Sequence, residues 1–220
     1  MGTAEAAKLD RLAELIAGSP HNLVARGERG ALRSTHVEDC VALARVLDAE
    51  AGSRWLDLGT GGGLPGLVLG VVRPDVRWTL VDATRKKVEA VGAFAAELGL
   101  DNVRVAAGRA ETMARDERFR GAFDGVVTRA LARLAVAAEL ARGFLRPGGL
   151  LAVVKGSAGR AELAAAGDAL RVLRFSDATV ADIGDAVRPA WLVTMRAQGE
   201  APRAYPRRDG VPRARPLDRR

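Results

Sequence analysis

The residues best suited to chemistry are a glycine-rich run and the acids beside it. Residues 57–66 read Asp-Leu-Gly-Thr-Gly-Gly-Gly-Leu-Pro-Gly, between an apolar run and a helical stretch. Glycines in such a turn tolerate positive φ and let a ligand approach bare backbone, and the N–H groups that begin the next helix attract an anion. The run therefore predicts a site for a ligand that carries a carboxylate or a phosphate.

Asp57 and Asp82 narrow the choice of ligand. Asp82 ends the second predicted strand, at the spacing where an acid accepts hydrogen bonds from both hydroxyls of a ribose. Gly61, Gly63 and Gly66 formally match the dinucleotide pattern as well. Asp57 favours S-adenosylmethionine over a dinucleotide, because a carboxylate there repels phosphates and attracts an ammonium group. The alternative that the glycines only make a tight turn stays open.

Two basic residues at the ends of later strands are candidates for holding a substrate. Arg129 ends the fourth predicted strand and Lys155 the fifth, and open α/β sheets bind ligands at such ends. The Asp/Asn-Pro-Pro-aromatic turn of amino-group methylation is missing after strand four, and Cys40 lies on an N-terminal helix. A ring nitrogen such as guanine N7 needs no general base, so both residues are predicted to hold a phosphate or a base oxygen. Surface ion pairs are the alternative.

The elements that must position these residues alternate between strands and helices. Two amphipathic helices are predicted over residues 4–17 and 34–49, the second with a capping box of Thr35 and Glu38. After residue 54, short apolar runs alternate with helical stretches, which indicates βα units and a mostly parallel sheet with an antiparallel last strand. The seven predicted strands are 55–58, 76–81, 103–106, 123–128, 150–154, 172–180 and 190–195. The predicted divisions are a helical cap over 1–52, a core over 53–200 and a tail over 201–220.

The composition indicates a soluble globular chain. It has 220 residues, 34 basic and 27 acidic, and 48% are hydrophobic, too many for a disordered protein. A single cysteine excludes a disulfide framework, and His36 with Cys40 on one helix face is too few ligands for a metal site. With neither an export signal nor a membrane span in the sequence, we expect a cytoplasmic protein without bound metal.

Most of the net charge of +7 lies at the end of the chain. Residues 201–220 hold seven arginines and two aspartates. The prolines between them predict an extended basic tail without a helix, with RNA phosphate as its natural partner. A solvated, disordered terminus is the alternative.

The motifs together are similar to the bacterial 16S ribosomal RNA methyltransferase G family, also called glucose-inhibited division protein B. The resemblance runs almost end to end. It rests on residues 21–23, 35–39, 56–66, 80–83, 85–88, 108–111, 128–130, 154–156 and 205–212.

The resemblance implies a class I S-adenosylmethionine-dependent methyltransferase, a Rossmann-like three-layer α/β sandwich with added N-terminal helices. The implied reaction is methylation of N7 of guanine 527 in 16S rRNA of the 30S ribosomal subunit. Separately from the resemblance, we expect the protein to be a monomer. With the acid-flanked loop, the predicted cofactor-binding residues are Asp57, Gly59, Gly61, Leu64, Asp82, Ala110, Glu111 and Arg129. The predicted catalytic residues, near the target base, are Arg129, Lys155 and His36. A non-catalytic RNA-binding module and an NAD(P)-dependent oxidoreductase are the alternative functions.

Overall fold

The structure of the chain, a computed structural model, describes residues 2–21, 23–24, 26–184 and 189–218. Asn22 of the first resemblance motif lies outside these residues, as do the last two arginines of the tail. The chain divides into two compact units, Met1–Gly108 and Arg109–Arg220. The division into cap, core and tail stays a prediction.

The first unit joins the N-terminal helices to three parallel strands. Its helices are α1 (Thr3–Gly18), α2 (Glu38–Val46), α3 (Gly66–Val72) and α4 (Arg85–Glu97), with a 3₁₀ turn at Arg26–Ala31 and a π turn at Arg33–Val37. Its strands are β1 (Arg54–Leu58), β2 (Arg77–Asp82) and β3 (Val103–Ala107). β1 and β2 are largely buried and carry large apolar residues, and the Trp55 and Trp78 rings pack 5.9 Å apart. β3 is half-buried to exposed. A glycine-rich segment follows β1 and a short polar segment follows β2. The predicted cofactor-binding residues of this unit lie in or beside these segments.

The second unit contains the remaining strands and the C-terminal residues. Its strands are β4 (Phe123–Arg129), β5 (Leu145–Lys155), β6 (Thr179–Asp182) and β7 (Trp191–Arg196). Its helices are α5 (Ala110–Met113), α6 (Leu134–Arg142), α7 (Gly159–Ala165), α8 (Gly167–Val172) and α9 (Val211–Ala214). β4 and β5 are parallel, whereas β7 is antiparallel to both β5 and β6.

The seven strands form one sheet in the order β3-β2-β1-β4-β5-β7-β6. The predicted α/β fold, with a mostly parallel seven-stranded sheet and an antiparallel last strand, is confirmed. The sixth predicted strand is wrong at its start, because α8 continues to Val172 and β6 begins only at Thr179. No helix in the described ranges combines the length and apolar character that crossing a bilayer requires.

Two local predictions are wrong. The capping box at Thr35 does not form, since the Thr35 hydroxyl donates to the carbonyl of Ala31 at 2.5 Å and Glu38 pairs with Arg33. The tail is not helix-free, because α9 forms with Pro212 in its first turn. A proline is tolerated there, since the first N–H groups of a helix have no partner within the helix.

Candidate active site

The loop between β1 and α3 depends on glycine for its shape. Gly59, Gly61 and Gly63 have φ of 77°, 56° and 95°. Other residues reach this left-handed region only at a cost of roughly 1–2 kcal/mol. The backbone N–H groups of Gly59 and Thr60 both donate to the carbonyl of Val81, at 2.8 and 2.9 Å. The loop is therefore fixed against the end of β2.

Asp57 is fully buried and ties the two ends of this loop together. Its Oδ2 accepts hydrogen bonds from the Thr60 hydroxyl at 2.7 Å and from the Gly66 N–H at 2.8 Å. A Cβ on Gly66 would lie 2.6 Å from that same oxygen, so only glycine lets α3 start here. Thr60 was not singled out from sequence, although it stands inside the glycine run. The predicted contact of Asp57 with an ammonium group stays a prediction.

Asp82 lies at the end of β2, half-buried, beside the same loop. Its Oδ2 accepts the N–H of Gly61 at 3.0 Å and its Oδ1 accepts the N–H of Thr84 at 2.8 Å. An ionised carboxylate has about four acceptor positions, so each oxygen keeps capacity for one further donor. This pair of acceptor oxygens fits the two hydroxyls of a ribose, which donate hydrogen bonds.

The first unit brings most of its predicted site residues to one loop. Leu64 is half-buried and lies in the loop with Gly59 and Gly61. Asp82 accepts a hydrogen bond from the N–H of Gly61, and Asp57 accepts one from the N–H of Gly66. His36 lies on the π turn Arg33–Val37 and is also half-buried. Its predicted role near a target base stays a prediction.

Gly61 offers a direct test of the loop as a ligand site. A Cβ built on Gly61 meets nothing closer than the carbonyl oxygen of Gly59 at 4.0 Å, so a larger side chain fits without a clash. If the cofactor lies against this loop as predicted, that side chain would occupy its space. We expect Gly61→Val to abolish S-adenosylmethionine binding, measured by isothermal titration calorimetry, while the protein stays folded.

The matched control for this variant is Gly99→Val. Gly99 lies outside the loop, has a similar φ of 61°, and has no heavy atom within 4 Å of a built Cβ. Valine at this position should therefore cause the same backbone strain as valine at Gly61. We expect both variants to lose comparable stability and only the first to lose binding. Equal cofactor affinity in the two variants would contradict the assignment of the loop.

In the second unit, Glu111 is held by the C-terminal residues. Glu111 is 2% exposed and lies in α5, next to the half-buried Ala110. Its Oε1 accepts the backbone N–H of Gly210 at 3.0 Å and lies 3.4 Å from Nη2 of Arg109. Asp209 accepts the Thr112 hydroxyl at 3.1 Å. The cofactor contact predicted for Ala110 and Glu111 stays a prediction.

Arg129 and Lys155 end neighbouring parallel strands. Arg129 stands opposite Val154 in the β4–β5 register, so the next residue, Lys155, lies at the same edge. Nζ of Lys155 lies 2.7 Å from Oε2 of Glu162 and donates to the carbonyl of Ala132 at 2.9 Å. Glu162 was not among the residues singled out from sequence, where an acid one turn into a helix looks like a surface residue. Lys155 therefore forms an ion pair, but with side chains only 11% and 18% exposed this is not the surface pair considered as the alternative. The predicted roles of Arg129 and Lys155 stay predictions.

The C-terminal segment, residues 201–218, packs on the second unit through a buried ion pair. The Arg207 guanidinium makes two hydrogen bonds, at 2.8 and 2.7 Å, to the carboxylate of Glu139, which is 0% exposed. The N–H of Arg207 donates to the same carboxylate at 2.9 Å. Hydrogen bonding to Glu139 raises the pKa of Arg207 above its usual value. The prediction of an extended tail was wrong, because charge and proline content do not reveal a buried acid elsewhere in the chain.

The same segment also contacts the loop that follows β4. Arg213 donates to the carbonyl of Leu131 at 3.1 Å, and Arg133 pairs with Asp218 at 2.5 Å. Ala130 in this loop has φ 53°, a left-handed conformation that is strained for alanine. The C-terminal segment therefore supports the turn that directly follows Arg129.

The described residues contain no group of three His, Cys, Asp or Glu side chains placed to hold a metal ion. Cys40 is 1% exposed, among the apolar residues of the first unit. It packs in the core and lies in α2.

Comparisons with known proteins extend the motif resemblance. A family model described as rRNA small subunit methyltransferase G matches residues 5–190. The ribosomal RNA small subunit methyltransferase G of Deinococcus deserti is 47% identical over 167 residues, which cover 74% of this chain and 67% of the relative. That of Deinococcus radiodurans is 40% identical over 212 residues, which cover 94% and 83%.

Solved structures agree on the fold. The S-adenosylmethionine-dependent methyltransferase SibL, in its apo form, has a TM-score of 0.61 and 19% identity, over 84% of this chain and 62% of that one. None of these matches favours an oxidoreductase or a non-catalytic module. With the family model spanning most of the chain, and relatives of up to 47% identity carrying the same name, the chain belongs to the rRNA small subunit methyltransferase G family.

Proposed function

We propose that the protein transfers a methyl group from S-adenosylmethionine to N7 of guanine 527 in 16S rRNA of the small ribosomal subunit. Family membership supports an rRNA substrate, and the motif resemblance supports the base and the atom. The observation that carries the cofactor assignment is the glycine loop bonded to Asp57 and Asp82, with acceptor capacity left on Asp82.

The residues of the first unit would bind the cofactor in distinct ways. Asp82 would accept both ribose hydroxyls, one on each carboxylate oxygen. Gly59 and Gly61 would let the ligand lie against the backbone, where a side chain would block it. Asp57 would fix the loop and supply negative charge for the ammonium group. When bound, S-adenosylmethionine supplies an electrophilic methyl group on its sulfonium.

The target atom requires positioning from the protein rather than proton transfer. N7 of guanine has an in-plane lone pair and no proton, so it forms the new bond to carbon while the sulfur–carbon bond breaks, and the product is a cationic 7-methylguanosine. Lys155, an ammonium held by Glu162, fits the role of donor to a phosphate or to O6 of the base. Arg129, one strand away, fits the same role, and we place His36 near the base.

The substrate is expected to be 16S rRNA, as free RNA or within the 30S subunit, and the enzyme to act as a monomer in the cytoplasm. A size-exclusion profile at one chain mass would support the monomer. A stable dimer in that profile would overturn it.

The test of the reaction is transfer of labelled methyl from S-adenosylmethionine to 30S subunits of cells that lack this protein. We expect 7-methylguanosine at a single position, identified by mass spectrometry of the digested rRNA. Free 16S rRNA in a parallel reaction identifies the preferred form of the substrate. Cofactor binding without incorporation into either substrate would refute the proposed reaction.

A further inference from the structure

The C-terminal segment has an inner and an outer side with different partners. On the inner side, Arg207 and Gly210 bond to the buried acids Glu139 and Glu111. On the outer side lie four exposed arginines, Arg203, Arg208, Arg213 and Arg215.

Several exposed arginines elsewhere in the described part of the second unit pair with acids. Arg118 pairs with Asp116 at 2.6 Å and Arg171 with Asp168 at 2.8 Å. Within residues 109–184 and 189–218, none of the four outer arginines forms an ion pair with a carboxylate. Asp209, next to Arg208, is already engaged by Thr112 and Arg109. Asp218, three residues after Arg215, pairs with Arg133. Arg213 uses one N–H group on the carbonyl of Leu131. The four guanidinium groups otherwise keep their charge and their donors for an external anion.

The backbone that carries these arginines is held in place. Arg120 donates to the carbonyls of Ala201, Pro202 and Tyr205, and Arg115 donates to that of Pro206 at 2.6 Å. A fixed backbone reduces the ordering entropy that binding costs. The segment thus presents its charges as a folded surface rather than as a loose chain.

We propose that residues 201–218 form an RNA-docking surface on which Arg203, Arg208, Arg213 and Arg215 bind backbone phosphates, while Arg207 anchors the surface from within. The proposal deepens the proposed function and rests on it for the identity of the RNA. The arginine guanidinium matches phosphate in two parallel hydrogen bonds. Phosphate contacts of this kind position a protein on its nucleic acid without reading the sequence.

RNA fits this surface better than an anionic membrane does. A membrane-binding surface combines basic residues with large apolar side chains that enter the lipid. The exposed residues of the segment within the described range are arginines, Asp209 and the small residues Ala204 and Ala214. The exposed residues of the described segment are therefore mostly charged, and none is a large apolar side chain that could enter lipid.

The experiment compares a triple variant, Arg203→Gln, Arg208→Gln and Arg215→Gln, with the unaltered protein. Binding to a 16S rRNA transcript is measured by fluorescence anisotropy over a range of salt concentrations. Because each phosphate contact contributes about 0.7–0.9 to the slope of log affinity against log salt, we expect the slope to fall by about two to three. Lysine at the same three positions should keep the slope.

The matched control is Arg118→Gln, Arg146→Gln and Arg171→Gln, which removes the same charge from acid-paired arginines of the same unit. We expect its slope to match that of the unaltered protein. S-adenosylmethionine affinity is measured for all variants, and we expect it to stay within about twofold.

Three results would overturn the proposal. The first is an unchanged salt slope in the triple variant of Arg203, Arg208 and Arg215. The second is an equal fall of the slope in the control variant, which would show that the slope depends on total charge rather than on these positions. The third is loss of binding to phosphatidylglycerol vesicles with RNA binding intact, which would assign the arginines to a membrane. Failure of the proposed reaction would instead appear as absent methyl transfer by the unaltered protein, whatever the slopes are.

Discussion

Asp82→Ala is expected to weaken S-adenosylmethionine binding by about a hundredfold or more. Hydrogen bonds to a charged group contribute roughly 1.5–3 kcal/mol each, and the variant would lose two of them to the ribose. It would also release the N–H of Gly61, which Asp82 holds at 3.0 Å. Isothermal titration calorimetry measures the affinity, and far-ultraviolet circular dichroism checks the fold.

The control for this prediction is Asp101→Ala, which removes an exposed acid of the same unit, between α4 and β3. We expect it to bind the cofactor like the unaltered protein. Asp82→Asn, which keeps one acceptor oxygen, should fall between the two. Unchanged affinity in Asp82→Ala would place the ribose elsewhere.

Arg207→Ala is expected to lower the free energy of unfolding by about 3 kcal/mol, since removing one partner of a buried pair leaves an uncompensated charge. Glu139 is 0% exposed and would lose both bonds to the guanidinium. The Arg207 side chain is 25% exposed, which puts the expected loss at the lower end of the range for buried pairs. Urea unfolding followed by tryptophan fluorescence measures the change.

Two further variants separate the buried pair from a general loss of charge. Arg171→Ala breaks an exposed pair with Asp168, and we expect at most about 1 kcal/mol from it. The double variant Arg207→Met with Glu139→Leu should regain part of the loss, because apolar residues remove both charges together. If Arg207→Ala and Arg171→Ala destabilise the protein equally, the pair does not anchor the segment.

The glycine loop was predictable because its causes are local. Positive φ at Gly59, Gly61 and Gly63 and the close approach of Gly66 to Asp57 are requirements of one continuous stretch, visible as glycine spacing. The sheet was predictable for the same reason, since apolar runs and turn residues alternate along the chain. Strand boundaries were less accurate, as at residues 172–180.

The contacts of the second unit were not predictable from local patterns. Arg207 and Glu139 are 68 residues apart, and nothing near either residue shows that they meet. The net charge of residues 201–220 does not distinguish Arg207 from the arginines of the outer side, although Arg207 is paired with the buried Glu139. Glu162 was missed for a similar reason, because its partner Lys155 lies on a strand before the helix that carries it.

The bond between Gly210 and Glu111, which are 99 residues apart, has a consequence for synthesis of the protein. Translation produces every strand of the sheet before it reaches Gly210. A stop codon just after residue 200 would therefore leave the sheet complete and Glu111 without its backbone donor. The codon for Gly210 is thus as necessary for the environment of Glu111 as the codons around Glu111 itself, and a nascent chain acquires that environment only after Gly210 has been translated.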